Sequence, residues 1–187
     1  VEAEIDAIVI GTWPYLHEPV TVAALEAGKH VLCEARMARN AAEARRMLAA
    51  SRSHPDLVTQ IVPSPMTLRV DRTIQRLVSS GFLGRILAVE ARAYSGFLDE
   101  QAPLHWRQDV ELSGLNIMSM GIWYEALMRW VGTARSVTAM GATYVPRRKD
   151  GDGLLRDAQV PEHLDVIAEL HCGAQLHLQV SAVAGLA

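Results

Sequence analysis

The first third of the chain alternates short apolar runs with helix-patterned segments, and that alternation restricts the fold more than any other feature. Asp6-Ala-Ile-Val-Ile-Gly11 is apolar and partly β-branched without polar alternation, the pattern of a strand buried on both faces. Pro19 suits a first helical residue and Gly28 a C′ residue, with Val20, Ala23, Ala24 and Ala27 as one apolar stripe between them. His30-Val-Leu-Cys33 has the pattern of a second short buried strand. Asn40 and Glu43 have the spacing of a capping box and open a helix that runs to about Arg52. Val58 to Val62 is a third strand, and Pro63-Ser-Pro65 breaks the pattern. Strand, helix, strand, helix, strand with short loops predicts right-handed crossovers and a parallel sheet.

Three strands are only half of a doubly wound sheet. The first apolar run begins close to Val1, and Ala187 follows directly on the strand-like run Gln175 to Val183. Both ends therefore read as cuts through a larger fold, with the other half of the sheet expected upstream of Val1. An isolated half-sheet with an uncovered edge is expected to express poorly or to bind dinucleotide weakly.

The remaining sequence has a different character. Leu68 to Ser80 reads as a helix stopped by Gly81, and Ile86 to Tyr94 as a long strand with polar alternates Glu90 and Arg92. Residues 95–112 read as an irregular loop, and Asn116 to Val131 as a second helix closed by Gly132. Ser136 to Val145, Leu164 to His171 and Ala174 to Val183 are further strands, the last two joined by a turn at Cys172-Gly173. Residues 146–160, charged and rich in glycine, read as an exposed loop. The fold class expected is α/β: the second half of a doubly wound, Rossmann-like parallel sheet over residues 1–66, then an α+β domain over 67–187. The second domain is expected to carry an open-faced, mostly antiparallel sheet with helices on one face.

Composition removes several function classes. The 187 residues carry 18 basic and 21 acidic side chains, a net charge of −3 that gives no footprint for a nucleic-acid partner. No apolar run approaches the roughly 20 residues of a membrane span. Cys33 and Cys172 are too few for a disulfide framework, and a reducing, cytoplasmic setting is the default expectation. His171 and His177 straddle the last turn, but nothing around them has metal-ligand spacing, so no metal site is expected. Gly151-Asp-Gly153 lies in a charged loop and not at a strand-to-helix turn, and is not a dinucleotide fingerprint.

In a doubly wound sheet, ligands bind outside the carboxyl ends of the strands. Two such ends are visible: Gly11-Thr-Trp-Pro14 with His17 behind it, and Cys33-Glu-Ala-Arg36. Either these residues line a ligand crevice, or Thr12 and Pro14 shape a turn while Glu34 pairs with Arg36 or Arg39.

The segment Asp6 to His17, followed by Ala24-Leu-Glu-Ala-Gly-Lys-His-Val-Leu-Cys-Glu34, resembles the Gfo/Idh/MocA family of NAD(P)-dependent oxidoreductases. Gly81-Phe-Leu-Gly-Arg-Ile86, Trp106-Arg107, Ser113-Gly114 and the run Asp165 to Ala174 extend the resemblance along nearly the whole chain, in the family's order. The resemblance implies NAD or NADP as cofactor, contacted by Thr12, Pro14, His17 and Glu34. It implies hydride transfer to or from a sugar, polyol or related hydroxy or keto compound, and a homo-oligomer formed through the open sheet.

The departures from the family pattern fall on its acid-base residues. Ala35 stands at the lysine after the glutamate and Arg36 at the proline, and on the second-domain helix Ser119 and Trp123 stand at the aspartate and histidine. Arg36, Tyr124 and Glu125 are the candidate catalytic replacements, and Trp106, Arg107, Asn116 and Trp123 the candidate substrate contacts. Trp123 also suits core packing, Arg107 a solvated charge and Asn116 a helix N-cap. A non-catalytic homologue, or a remnant that binds a nucleotide or sugar or serves as a subunit, is the alternative.

Overall fold

The apolar runs of the first third become strands β1 (Ala7–Ile10), β2 (His30–Cys33) and β3 (Thr59–Ile61) in the computed structural model, which describes residues 4–62, 69–96, 98–115, 117 and 120–183. They pair in parallel in the order β1-β2-β3, with Ile10 opposite Cys33 and Cys33 opposite Ile61. Helix α1 (His17–Glu26) crosses from β1 to β2, and α2 (Ala41–Ser53) from β2 to β3. This is the Rossmann-like arrangement that the alternation predicts.

The local signals explain the element ends. Gly28 has φ of 72°, its N–H bonds to the Leu25 carbonyl, and the Lys29 N–H reaches the Ala24 carbonyl, which closes α1 in a Schellman motif. The helix begins at His17, two residues before Pro19, because a single 3-10 turn over Pro14–Leu16 leads into it. Asn40 caps α2, its Oδ1 accepting from the Glu43 N–H at 3.0 Å. The Glu43 carboxylate reaches back one residue further than a capping box requires and accepts from the Arg39 N–H at 3.0 Å and the Arg39 guanidinium at 2.7 Å.

The chain divides into two compact units, Val1–Pro63 with Leu104–Asn116 and Lys149–Val160, and Ser64–Pro103 with Ile117–Arg148 and Pro161–Ala187. The expected boundary at 66/67 and the break Pro63-Ser-Pro65 lie outside the described residues. In the first unit, Ile10, Ala24, Leu25, Val31, Cys33 and Met47 form the core. Burial of β1 is one-sided: Ile10 is 2% exposed and Val9 72%, so β1 is not covered on both faces as its apolar run predicts. The 95–112 segment is not irregular throughout: Trp106–Gln108 forms a 3-10 turn and Val110–Ser113 a short helix. Residues 146–160 are likewise more ordered than a loop, with short strands at Arg147–Lys149 and Leu155–Asp157. Asp150 Oδ1 accepts from the N–H groups of Asp152 and Leu154 in the turn between them.

The second unit is built on a four-stranded sheet. Its strands are Ala88–Tyr94, Gln175–Ser181, His163–Leu170 and Ala134–Ala142, in that spatial order. The two pairings made by His163–Leu170 are antiparallel, whereas Ala88–Tyr94 and Gln175–Ser181 run parallel, so the sheet is mixed. Alternate residues Leu164, Val166, Ala168, Leu170, Leu176, Leu178 and Val180 are buried on one face, against Trp123, Tyr124 and Trp130 of the helix Met120–Val131. The other face carries a polar network. Asp165 accepts from His163 at 2.9 Å, His177 at 3.1 Å and Gln179 at 2.9 Å. Next to the start of His163–Leu170, Arg148 donates to Glu162 at 2.9 Å and to the Asp99 and Ala102 carbonyls, while Glu162 accepts from the Tyr144 and Val145 N–H groups. Both oxygens of Glu162 and both terminal nitrogens of Arg148 thus gain partners, which offset part of the desolvation of this buried pair; Arg148 Nε is buried without one.

Candidate active site

A parallel sheet directs its strand carboxyl ends to one edge, and in the first unit the turns after β1 and β2 meet there. The imidazole of His17 joins them. Its Nδ1 lies 2.8 Å from the Arg36 carbonyl and its Nε2 2.9 Å from the Thr12 carbonyl, with the residue only 1% exposed. His17 is at the start of α1, so the helix fixes the ring and the ring fixes both turns. Both ring nitrogens face backbone oxygens, which makes His17 a brace for the rim, at a residue where the resemblance implies a cofactor contact.

Thr12 and Glu34 are exposed at this rim and Pro14 is buried in the turn behind it. The Glu34 N–H donates to the Ile10 carbonyl at 2.9 Å, which extends the β1–β2 ladder one residue and sets the carboxylate at the strand end. The Ala35–Arg36 peptide bond is cis. Cys33, one residue inward, is buried; burial pushes its thiol up to about 11 against the opposing pull of the Thr21 hydroxyl, so it is protonated and unreactive at neutral pH.

The segment 104–115 of the same unit brings further side chains to Trp13. The Trp13 and Trp106 rings stack with centroids 5.7 Å apart and planes inclined by 15°. The Arg107 guanidinium lies 4.3 Å over the Trp106 ring, and His105 Nδ1 accepts from the Arg107 N–H at 3.3 Å. Burial pushes the Arg36 guanidinium down to about 10, and the positive charge of Arg107 adds to the effect. Both causes also lower His105, burial again the larger. Arg36 nonetheless stays cationic at neutral pH.

Ser113 and Gly114 hold this segment in place. Ser113 is fully buried, and its hydroxyl donates to the Arg107 carbonyl at 2.9 Å. Gly114 has φ of 73°, and a Cβ there would stand 2.1 Å from the Arg39 carbonyl oxygen, so no other residue allows so close an approach. The Arg39 guanidinium in turn donates to the Glu111 carbonyl at 2.8 Å.

Of the expected site residues, Thr12, Pro14, His17, Glu34, Arg36, Trp106 and Arg107 fall in this unit. Trp123, Tyr124 and Glu125 belong to the second unit. There Trp123 packs against the core, the Tyr124 hydroxyl accepts from the Ala134 N–H at 3.1 Å, and Glu125 pairs with Arg129 at 3.3 Å. Asn116 and Ser119 lie outside the described residues. Trp13 and His105 are participants outside the expected site residues, and Ser113 figures in the sequence only as part of the Ser113-Gly114 landmark; an indole inside the Thr-x-Pro turn was the available signal for Trp13.

Residues 1–61 match the family model described as an oxidoreductase family with an NAD-binding Rossmann fold, and residues 72–187 match the GFO/IDH/MocA C-terminal domain. A levoglucosan dehydrogenase of Pseudarthrobacter phenanthrenivorans is 25% identical over 170 residues, covering 86% of this chain and 43% of its own. The human glucose-fructose oxidoreductase domain-containing protein 2 is 30% identical over 126 residues, covering 67% of this chain and 32% of its own. An oxidoreductase domain protein from Kribbella flavida superimposes with a TM-score of 0.85 at 25% identity, over 98% of this chain and 50% of that one. A levoglucosan dehydrogenase in complex with NADH and L-sorbose shares the fold, with a TM-score of 0.80 at 23% identity over 97% of this chain and 49% of that one. This chain thus spans half or less of the length of these relatives. Two domain matches in sequence order, one of them over more than half of the residues, place it: the chain belongs to the Gfo/Idh/MocA family of oxidoreductases.

Proposed function

We propose that this chain contributes the nicotinamide-facing rim of an NAD(P)-dependent oxidoreductase that acts on a sugar, polyol or related hydroxy or keto compound. The observation that carries this reading is the rim itself: Thr12 and Glu34 at neighbouring parallel strand ends, braced by one buried histidine. These residues suit the ribose and ring of a nicotinamide nucleotide, since Glu34 offers a carboxylate acceptor for hydroxyl groups and Thr12 a hydroxyl. The sequence contains no glycine fingerprint for the pyrophosphate, so the fit is to one end of the cofactor. When bound, the nicotinamide supplies or accepts the hydride. The chain's own residues orient the reacting carbon against it, which is a large contribution by itself.

Arg36 polarises the substrate oxygen but, held cationic, does not shuttle its proton. Tyr124 and Glu125 are the other two candidate groups, each already engaged within the second unit. General acid-base assistance is worth about 10²–10⁴-fold, so turnover slower than that of a lysine-bearing relative by a factor in this range is expected. Enhancement of NADH or NADPH fluorescence on binding, followed by absorbance change with a panel of sugars and polyols, tests the proposal. Glu34→Gln is expected to weaken nucleotide binding about tenfold or more, the loss of one charge-assisted hydrogen bond. No binding of either nucleotide overturns the proposal.

A second reading, a non-catalytic homologue, is favoured by Ala35 and Trp123 at the positions where the resemblance places acid-base residues. Nucleotide binding with no turnover of any sugar selects it. Under either reading the open face of the second unit's sheet pairs with a second copy of the chain, around Tyr94, Met140 and Ile167, which are 54%, 75% and 61% exposed beside the Asp165 network. Sedimentation as a monomer at micromolar concentration overturns that pairing.

A further inference from the structure

The first unit contains a cavity of about 170 Å³ walled by residues of α1, α2, β2 and β3. Three sulfurs line it, those of Cys33, Met37 and Met47, and among the described residues no charged side chain does. Leu48 and Gln60, the exposed members of the lining, mark where it meets solvent. In its wall the Ser51 and Thr59 hydroxyls share a hydrogen bond of 2.7 Å, and the one that accepts keeps its own hydrogen to give. Thr21 contributes a further hydroxyl. The residue is 4% exposed, and its Oγ1 is buried without a hydrogen-bond partner, not even the carbonyl one helical turn back. The Cys33 thiol beside it is a weak hydrogen-bonding group and leaves that oxygen unsatisfied. A buried hydroxyl left unmatched costs free energy, and a ligand that supplies the match recovers it.

We propose that this cavity binds a small neutral aromatic molecule carrying one hydroxyl group, a phenol, with the Thr21 hydroxyl as its polar anchor and its ring against the sulfurs. The inference goes beyond the proposed reaction and does not rest on it. Size sets the class first: an apolar cavity of about 150 Å³ holds a benzene ring, so 170 Å³ admits one ring with a small substituent. The lining sets the rest. Thioether and thiol sulfurs make favourable contacts with aromatic rings, and the unbranched methionine side chains adapt to the ring's outline. Nothing in the lining offsets the desolvation of a carboxylate or an ammonium group, which restricts the occupant to a neutral molecule. The Thr21 hydroxyl donates and accepts, as a phenol does, so the pair forms in either sense. The cavity is separate from the strand-end rim but adjoins it along the chain. Cys33 precedes Glu34, Met37 follows Arg36, and Thr21 lies one helical turn after His17, while no rim residue belongs to the lining.

Titration of the chain with phenol, benzene and benzoate, followed by calorimetry and by methyl NMR of the methionines, tests the proposal without any nicotinamide nucleotide. Phenol is expected to bind with a dissociation constant on the order of 1 mM or tighter. It is expected to bind about threefold to tenfold more tightly than benzene, the worth of one hydrogen bond. Benzoate is expected not to bind. Bound phenol should displace the methyl signals of Met37 and Met47, each assigned from its leucine variant, and leave those of the other methionines in place. Thr21→Val keeps the shape of the side chain and removes the hydroxyl, and is expected to bring phenol down to the affinity of benzene. Should that variant fail to fold, the ratio of phenol to benzene affinity in the parent chain still decides. No saturable binding of phenol, equal binding of phenol and benzene by the parent chain, or benzoate binding as tight as phenol overturns the proposal. So does a phenol preference unchanged in Thr21→Val, or binding that moves only methionines outside the cavity. Failure to bind NADH or NADPH overturns the proposed function and leaves this site standing, because none of these readouts involves the nucleotide.

Discussion

The two sheets of this protein are held by different rules. The three-stranded sheet of the first unit is parallel, and its first strand is apolar on both sides: in β1, Ile10 is buried while Val9 on the opposite face is 72% exposed. In the four-stranded sheet of the second unit, the two central strands alternate. Leu176, Leu178 and Val180 are buried on one face, and His177, Gln179 and Asp165 are joined in a polar network on the other. A strand that alternates states which face water meets; a continuously apolar strand does not, and its burial depends on what lies on each side. The faces of the first sheet are therefore set by the helices that pack on it, through Ala24, Leu25 and Met47, and those of the second are already marked by its own side-chain pattern.

The largest test of this contrast lies within the second sheet. Leu178→Ala, at a residue 1% exposed, is expected to lower stability by about 2–5 kcal/mol, whereas Ile167→Ala, at 61% exposure on the opposite face, changes it by less than about 0.5 kcal/mol. Urea unfolding measures both, and similar losses at the two sites would break the one-faced description. In the first unit, Asn40→Ala removes the cap that accepts the Glu43 N–H and is expected to cost about 1 kcal/mol, within the usual range of about 0.5–2. A midpoint unchanged by that substitution would mean that α2 is held by packing alone.

The smallest effect concerns pH. Hydrogen bonds from His177 and Gln179, joined by His163, hold the Asp165 carboxyl below the usual carboxylate range against the opposing effect of burial. Because its folded-state value lies below the unfolded value of about 3.9, its stabilising contribution is complete above that pH and is lost as pH falls through the folded value. Asp165→Asn should therefore flatten the acid limb of the melting temperature between about pH 4 and about pH 2. The change is small because the side chain is 29% exposed. An acid limb identical to that of the parent chain would show that the network does not couple to folding.

Local signals in the sequence carried much of the fold. Gly28 ended α1, Asn40 opened α2, and the Cys172-Gly173 turn joined the last two strands, each because a cap or a positive φ depends on a few adjacent residues. The segments 95–112 and 146–160 were less legible, since their short elements are fixed by contacts between distant stretches of chain, such as the Leu104 N–H on the Lys149 carbonyl within the first unit. The rim was legible as a place but not as an assembly. Thr12, Glu34 and Arg36 follow from the strand ends, whereas the stack of Trp13 on Trp106 joins residues far apart in sequence.

By itself the sequence determined the parallel pairing of the first strands, the close of α1 at Gly28 and the opening of α2 at Asn40, the alternating faces of the second sheet and the family, because each rests on spacing along the chain. Only the tertiary structure decided that His17 braces two turns, that Gly114 must admit the Arg39 carbonyl, and that Arg36 and Arg107 act on one another. Those are relations across space between segments that share no periodicity, and burial, hydrogen bonding and charge act on distance alone.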